Sequence, residues 1–247
     1  MIKDKINLIR TALKIPFSKL YLDGLTKGRV ESEKNPKRYD VINYLLSTCG
    51  DQTRYLEIGV RNPEENFDKI VTSFKKSVDP GIEADVNTAD YKMTSDDFFA
   101  SIEKNEHEPY DVIFIDGLHL AEQADRDIKN SLEFVKPHGY VVLHDCNPPS
   151  VWHARENYYD RLSPARGLWN GTTWKAFLKW RCLKTIQSCC IDTEFGIGII
   201  SKTRSLGKHC ELSNSFFEYD VLNKNRKELL GLISFEELKK RINKNES

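Results

Sequence analysis

The strongest constraint on the fold is an alternation of short apolar runs with amphipathic segments, which follows the first fifty residues. The clearest runs are residues 55–60, 111–116 and 140–145. Such alternation is typical of βαβ units, in which parallel strands form a sheet with helices on both faces. Two later runs, 186–193 and 196–201, are close enough in sequence to pair as an antiparallel hairpin. The sequence therefore predicts an α/β protein.

Local signals predict what joins the first strands. Asn62 and Pro63 have the residue types of a helix N-cap and a first helical position, so a helix is predicted from here to Phe74. A short strand is predicted at residues 76–78 and a weak one at 91–93.

Three further helices are predicted from caps and apolar spacing. Thr94 or Ser95 caps a helix that buries Phe98. Residues 121–135 carry apolar side chains on one helical stripe, and residues 172–183 also have a helical pattern.

The two ends of the chain differ from its middle. Residues 1–50 form a helical N-terminal extension in this interpretation, with a polar loop at 26–37. Residues 51–205 form the α/β domain, in which residues 147–174 are an insertion on the substrate side. Residues 206–247 are a predicted helical C-terminal tail.

The composition excludes several classes of protein. The chain has 247 residues, of which 37 are Lys or Arg and 37 are Asp or Glu, so its net charge is zero. A dedicated nucleic-acid-binding domain is clearly basic, so no DNA or RNA partner is expected. No apolar run reaches transmembrane length, and charges at Lys5, Arg10 and Lys14 interrupt any signal-peptide core. A cytoplasmic protein is therefore expected, with its six cysteines mostly buried.

Acidic residues and a glycine mark the carboxyl ends of the predicted strands. They are Glu57, Gly59, Asp79, Asp116 and Asp145. Ligands of open α/β sheets bind at this edge. A dinucleotide needs G-x-G-x-x-G and a helix N-terminus facing its pyrophosphate, whereas here one glycine is followed by two glutamates. An NAD- or FAD-dependent oxidoreductase is thus disfavoured. S-adenosylmethionine, which has no phosphate and a cationic sulfonium, is compatible with these acids.

Four motifs resemble the successive motifs of class I S-adenosylmethionine-dependent methyltransferases. They are Y-L-E-I-G-V at 55–60, V-D-P at 78–80, F-I-D-G-L-H at 114–119 and V-L-H-D at 142–145. The I-D-G-x-H run and the closing H-D-C-N-P-P are similar to a bacterial sugar-type O-methyltransferase branch that accompanies polysaccharide biosynthesis.

That resemblance implies a fold and an activity. The fold is a Rossmann-like, seven-stranded, mostly parallel sheet with an antiparallel last strand. The activity is O-methylation of a sugar or glycan precursor, with S-adenosylmethionine as the cofactor. Two alternatives stay open: a different α/β enzyme such as an oxidoreductase, and a non-catalytic protein that binds partners through the same fold.

The residues expected to bind the cofactor lie at the strand ends and in one turn. Asp79 suits hydrogen bonds from ribose hydroxyls, and the turn at 94–96 is expected near the adenine. The full set is Glu57, Gly59, Asp79, Thr94, Ser95, Asp96, Asp116 and His119.

Asp116, His119, His144 and Asp145 are the candidate catalytic residues, because they follow two neighbouring strands. Asp116, His144 and Asp145 are also candidate ligands for Mg²⁺ or another divalent cation, which would lower the pKa of an acceptor hydroxyl. In the alternative without a metal, a histidine that titrates near pH 6.5 is the general base. His107, His138, His153 and His209 are interpreted as surface or turn residues.

The stretch 147–174 is the expected acceptor wall. It is rich in aromatic residues, whose faces stack on sugar rings. Arg155, Arg161 and Arg166 are candidates to bind phosphates of a nucleotide sugar or a lipid-linked glycan acceptor. The amphipathic helical ends are compatible with a homo-oligomer.

Overall fold

The computed structural model describes residues 2–83, 85–102, 107–160 and 162–244. The helices are α1 Ile2–Lys14, α2 Lys19–Glu33, α3 Arg38–Ser47, α4 Ser95–Ser101, α5 Ala121–Phe134, α6 Thr173–Arg181, α7 Tyr219–Lys224, α8 Arg226–Leu229 and α9 Phe235–Lys244. The strands are β1 Arg54–Ile58, β2 Phe74–Val78, β3 Tyr110–Ile115, β4 Val135–Leu143, β5 Gln187–Ile191, β6 Ile197–Ser201 and β7 Leu232–Ile233.

One seven-stranded sheet has the order β2-β1-β3-β4-β6-β5-β7. Neighbouring strands are parallel except that β6 runs antiparallel to both β4 and β5. The predicted Rossmann-like, mostly parallel sheet and the hairpin are therefore confirmed. One detail was wrong: the antiparallel strand is the sixth, because the tail adds a seventh strand, Leu232–Ile233, parallel to β5 at the edge.

Helices cover both faces of the sheet, as predicted. In β3, Ile113 and Ile115 pack into the core layer that contains α5 residue Ile128. Val112 and Phe114 pack into the opposite layer, which is formed with α3 and α9. Because successive side chains point to opposite faces and both faces are covered, β3 is buried along its whole length.

The helix predicted between β1 and β2 is wrong. The Asn62 side chain does accept a hydrogen bond from the backbone N–H of Glu64, as an N-cap would. Two short 3₁₀ turns follow, Pro63–Glu65 and Phe67–Lys69, and Phe74 already belongs to β2. The physical reason is Asn66, which is buried and donates from its side-chain amide to the Glu57 carboxylate at the strand end.

Two smaller differences concern polar segments. The loop predicted at 26–37 is wrong over most of its length, because α2 continues to Glu33. Within the stretch, the buried positions of this helix are Gly28 and Glu31, so no apolar periodicity marks it as helical. The weak strand at 91–93 is a single bridge between Val78 and Tyr91.

The C-terminal tail packs on the sheet. Leu238 and Ile242 of α9 are fully buried in the layer with α3. Arg181 of α6 is also buried, and it donates hydrogen bonds to the carbonyl oxygens of Ser188 and Leu229.

The domain boundaries at 50 and 205 stay predictions. Among the described helices, none combines the length and apolar character needed to cross a membrane.

Candidate active site

A cavity of about 460 Å³ lies at the carboxyl ends of β1 to β4. Most of the predicted site residues line it: Glu57, Gly59, Asp79, Thr94, Ser95, Asp116, His119, His144 and Asp145. Asp96 is not in the lining, and its carboxylate instead pairs with Arg126 at 3.1 Å. The strand ends therefore converge as parallel topology requires, while the turn at 94–96 contributes only its first two residues.

The carboxylate of Asp79 organises the cofactor side of the cavity. One oxygen accepts a hydrogen bond from the backbone N–H of Val60 at 2.9 Å, and the other accepts from Gly81 at 2.5 Å. These bonds fix the carboxylate at the end of β2 and leave further lone pairs facing the cavity.

Gly59 lets two strand ends approach each other. Its φ of 90° lies in the left-handed region, and a Cβ there would collide with the carbonyl of Asp116. The single glycine of the first motif thus serves the close approach of β1 to the loop after β3.

Glu57 is buried beneath the cavity, with 3% of its surface exposed. Its carboxylate accepts hydrogen bonds from the Tyr55 hydroxyl at 2.7 Å and the Asn66 amide at 2.9 Å. Burial raises the pKa of Glu57 to about 7, and the hydrogen bonds from Tyr55 and Asn66 only partly oppose that rise. Glu57 is therefore near the midpoint of its titration at neutral pH.

Asp116, His119, His144 and Asp145 form one contiguous cluster. His144 Nδ1 lies 3.2 Å from Asp116 Oδ1 and 3.5 Å from Asp145 Oδ2. His119 Nε2 lies 3.4 Å from Asp116 Oδ1, and its Nδ1 lies 3.1 Å from Asp145 Oδ2. Each carboxylate thus faces both imidazoles. The cluster predicted from two separate strand ends comes together.

The backbone holds Asp145 in an unusual conformation. Its φ of 62° places a non-glycine residue in the left-handed region. The Asn170 amide donates to Asp145 Oδ1 at 2.6 Å. Trp169 accepts a hydrogen bond from His119 Nδ1 through its carbonyl oxygen at 2.8 Å. Residues 169–170 of the acceptor wall therefore fix the orientation of both side chains.

Both imidazoles are held protonated by their neighbours. Burial alone lowers the pKa of His144, but the charges of Asp145 and Asp116 outweigh it and raise that pKa to about 10. Burial also acts to lower the pKa of His119, but Asp145 and Asp116 outweigh it and raise that pKa to about 9. Burial acts to raise the pKa of Asp116, but His144 and Arg38 hold it well below its usual range. A histidine base must therefore lose its proton before it can accept one from an acceptor.

Arg38 is a site residue that the sequence interpretation missed. It stands at the first position of α3, and its Nη1 lies 3.3 Å from Asp116 Oδ2. The same atom lies 3.5 Å from both ring nitrogens of His144, so the guanidinium lies against the face of that ring. One local signal existed: a cation in the first turn of a helix opposes the helix dipole. Such a position indicates that another contact compensates it.

A divalent cation fits the cluster geometrically. Asp116, His144 and Asp145 each offer one ligand atom, and these atoms lie within 4.8 Å of one another. Two carboxylate oxygens and an imidazole suit Mg²⁺, Mn²⁺ or a borderline transition metal. The nearby Arg38 guanidinium opposes such an ion, because it already neutralises part of the Asp116 charge.

The acceptor wall divides into packed and exposed parts. Trp169 stacks on His119 with ring centroids 5.1 Å apart, and Tyr158 also lines the cavity. Arg155 donates to the carbonyl oxygens of Trp152, Leu168 and Arg166, which gives it a structural role that the sequence did not predict. Arg166 is exposed, and Arg161 lies outside the described residues.

His153 was wrongly interpreted as a surface or turn residue. It is completely buried, and its Nδ1 lies 2.8 Å from the Ser150 hydroxyl. Burial lowers the pKa of His153 to about 4, so the ring is neutral. The backbone carbonyl oxygen of His153 accepts hydrogen bonds from the N–H groups of Asn170 and Gly171, so this buried residue supports the acceptor wall.

Residues 43–146 match a protein family described as a methyltransferase domain. The matched segment contains β1 to β4 and the cluster formed by Asp116, His119, His144 and Asp145. This match is to the class of domain that the sequence analysis predicted, and it spans less than half of the chain. No curated protein matches the chain in sequence.

Several solved structures resemble the chain. An O-methyltransferase from Bacillus cereus in complex with SAH is 14% identical, with a TM-score of 0.43, 82% of this chain covered and 100% of that chain. TomG from Streptomyces achromogenes, an O-methyltransferase involved in tomaymycin synthesis, is 12% identical, with a TM-score of 0.43 and coverage of 81% and 96%. MycE, a methyltransferase of mycinamycin biosynthesis solved with Mg, SAH and mycinamycin VI, is 14% identical, with a TM-score of 0.43 and coverage of 79% and 57%.

Proposed function

We propose that the protein transfers a methyl group from S-adenosylmethionine to a hydroxyl of a sugar or glycan precursor. One observation carries the proposal: two carboxylates and two imidazoles meet at the edge of a cavity whose other side holds Glu57, Gly59 and Asp79. A methyl donor and an acceptor hydroxyl need these two kinds of surface side by side. The methyltransferase domain match covers both.

Different residues of the chain would bind the cofactor and the acceptor. S-adenosylmethionine, when bound, supplies a methyl group on a sulfonium. Asp79 accepts hydrogen bonds from ribose hydroxyls through the lone pairs that Val60 and Gly81 leave free. The cluster around Asp116 and Asp145 receives the acceptor hydroxyl and takes its proton as the bond from the methyl carbon to the acceptor oxygen forms. The bond from that carbon to the sulfonium sulfur breaks in the same step, and S-adenosylhomocysteine leaves.

The cation part of the proposal has two forms. In the first, Asp116, His144 and Asp145 would hold a divalent cation, which would supply Lewis-acid polarisation of the hydroxyl. Positive charge at the carboxylates favours loss of the imidazole protons, so His119 is then free to accept a proton. In the second, no divalent cation binds, and among the described residues Arg38 and the two imidazoles supply the positive charge that faces the carboxylates. The histidines then hold their protons to a higher pH.

The aromatic part of the wall favours a sugar-type acceptor. Trp169 and Tyr158 line the cavity beside His119, and aromatic faces bind the apolar faces of sugar rings. The exposed Arg166 is available for a phosphate on the acceptor.

The oxidoreductase alternative is disfavoured by the segment after β1. In that segment the described chain forms two 3₁₀ turns and no α-helix, and Glu64 and Glu65 stand in the first turn. No helix N-terminus is available there for a pyrophosphate. The non-catalytic alternative differs from the proposal in a measurable quantity, which is turnover.

The test combines binding with turnover. Calorimetry should detect binding of S-adenosylmethionine, and methyl transfer to a panel of nucleotide sugars and free glycosides should be measured with and without EDTA. Asp116→Asn should abolish turnover, whereas Asp68→Asn, which alters an exposed carboxylate outside the cavity, should not.

Absence of S-adenosylmethionine binding would refute the proposal. Binding without turnover on any acceptor would favour the non-catalytic alternative. Activity confined to nitrogen acceptors would refute the hydroxyl assignment.

A further inference from the structure

The N-terminal segment, defined here as residues 4–20, stands apart from the core. It comprises most of α1, the 3₁₀ turn Ile15–Phe17 and the start of α2. Every described side chain in it is exposed. In an aqueous environment such a segment is expected to be polar, yet it contains large apolar residues.

These apolar residues form one stripe. Ile6, Ile9 and Leu13 recur at helical spacing, with 44%, 59% and 68% of their surfaces exposed. Ile15 and Phe17, in the 3₁₀ turn that follows α1, are also exposed, at 48% and 80%. Helices with this pattern normally bury the stripe against a core. Here the fold leaves it uncovered within the described chain.

The charges of the segment are arranged around the stripe. At 100° per residue, Lys5 borders one side of it, and Arg10 and Lys14 border the other. Asp4 lies on the opposite side of the helix. Residues 4–20 contain four basic residues and one acidic residue, although the whole chain is neutral. The segment is therefore an isolated basic, amphipathic element.

We propose that the N-terminal segment binds the surface of a membrane that contains anionic phospholipids. The apolar stripe would enter the boundary between headgroups and acyl chains, and the flanking cations would meet lipid phosphates. The 13 residues of α1 are too few to span a bilayer, so the helix lies in the plane of the surface.

The charge pattern favours a lipid surface over a second copy of the chain. Two such helices paired through their stripes would bring the flanking rows of Lys5, Arg10 and Lys14 close together, and like charges repel. An anionic surface matches the same rows. Self-association is therefore an outcome that the test must distinguish.

The segment is connected to the cavity through α2. A Cβ at Gly28 would lie 2.6 Å from Leu168 Cδ1, so this helix contacts the acceptor wall directly. Gly24 makes an equally close contact with Pro164. A membrane bound by residues 4–20 would thus lie next to α2, the helix that packs against the acceptor wall. The binding itself does not depend on the proposed function.

The test is flotation of the full chain with vesicles. Vesicles of phosphatidylcholine alone should bind weakly, and those with about a third phosphatidylglycerol should bind at least about tenfold more strongly. Ile9→Asp/Leu13→Asp should weaken binding to the anionic vesicles by at least about tenfold, because the stripe can no longer enter the bilayer. The matched control is Val71→Asp, which adds an acid at an aliphatic residue that is 77% exposed outside α1. It should bind as wild type does.

A second variant separates charge from apolar burial. Lys5→Gln/Arg10→Gln/Lys14→Gln should abolish the preference for anionic vesicles, and added salt should have the same effect on the wild type. Circular dichroism of each variant establishes that it is folded. Equal flotation of the wild type and Ile9→Asp/Leu13→Asp would overturn the proposal. So would a dimer, detected by sedimentation without lipid, that the same double substitution dissociates.

Discussion

The Nη1 atom of Arg38 lies 3.3 Å from Oδ2 of Asp116, so a cation from the first residue of α3 completes the charge cluster at the end of β3. This contact connects the N-terminal helices to the chemistry of the sheet. A divalent cation bound as proposed would face the same carboxylate as this guanidinium. The balance between them is open to experiment.

Replacement of Arg38 tests that balance. Arg38→Met removes a positive charge beside Asp116, so the affinity for Mn²⁺ or Mg²⁺ should rise at least about tenfold. Calorimetric titration with Mn²⁺ measures this. Arg29→Met is the control, because Arg29 is exposed on α2 and pairs with Glu33. Equal Mn²⁺ affinity in wild type and Arg38→Met would contradict competition at this carboxylate.

Asp79 tests the cofactor assignment. Asp79→Ala should weaken S-adenosylmethionine binding by about 1–3 kcal/mol, the range for loss of a charged hydrogen-bond partner. Asp79→Asn keeps one acceptor oxygen and should lose less. Calorimetry at constant temperature gives both values, with Asp85→Ala as an exposed control. Unchanged affinity in Asp79→Ala means that the ribose assignment is wrong.

Glu57 gives the protein a specific pH dependence of stability. The pKa of Glu57 is raised from an ordinary value of 4.5 to about 7, chiefly by burial. The folded state therefore keeps a proton that the unfolded chain releases, and stability falls as pH rises from about 4.5 to about 7.

Glu57→Gln removes this dependence. Its amide still offers an oxygen to Tyr55 and carries no charge at any pH. Relative to wild type, the free energy of unfolding of the variant should increase by up to roughly 3 kcal/mol between pH 4 and pH 8. Urea denaturation at several pH values measures it, and the histidine contributions cancel in the difference. A constant difference between the two proteins would show that Glu57 titrates normally.

Gly171 connects the acceptor wall to His119. Its φ is 59°, and a Cβ there would collide with the carbonyl oxygen of His119. Gly171→Ala should therefore lower the free energy of unfolding by about 1–3 kcal/mol. Gly167→Ala is the matched control, since a Cβ at that position meets no atom within 4 Å. Its effect should stay within about 0.5 kcal/mol. Similar melting temperatures for the two variants would contradict this account of the turn.

The strands were predictable because their signal is local. Buried runs such as residues 111–116 and 140–145 are apolar along the chain, and the topology of parallel strands brings their carboxyl ends to one edge. The convergence of Asp116 with Asp145 follows from that rule alone. The helix predicted at 62–74 is wrong for the opposite reason, because a contact distant in sequence determines this segment. Its cap was recognised, but a buried hydrogen bond from Asn66 to Glu57 decided its path.

By itself, the sequence determined the sheet, the hairpin and the acids at the strand ends, because hydrophobic periodicity and turn residues act between neighbours in the chain. The tertiary structure decided the rest. It placed Arg38 against Asp116, fixed Asp145 through Asn170, and left the α1 stripe exposed. It also set the charge states of His119 and His144, because a pKa depends on burial and on distances between groups far apart in sequence.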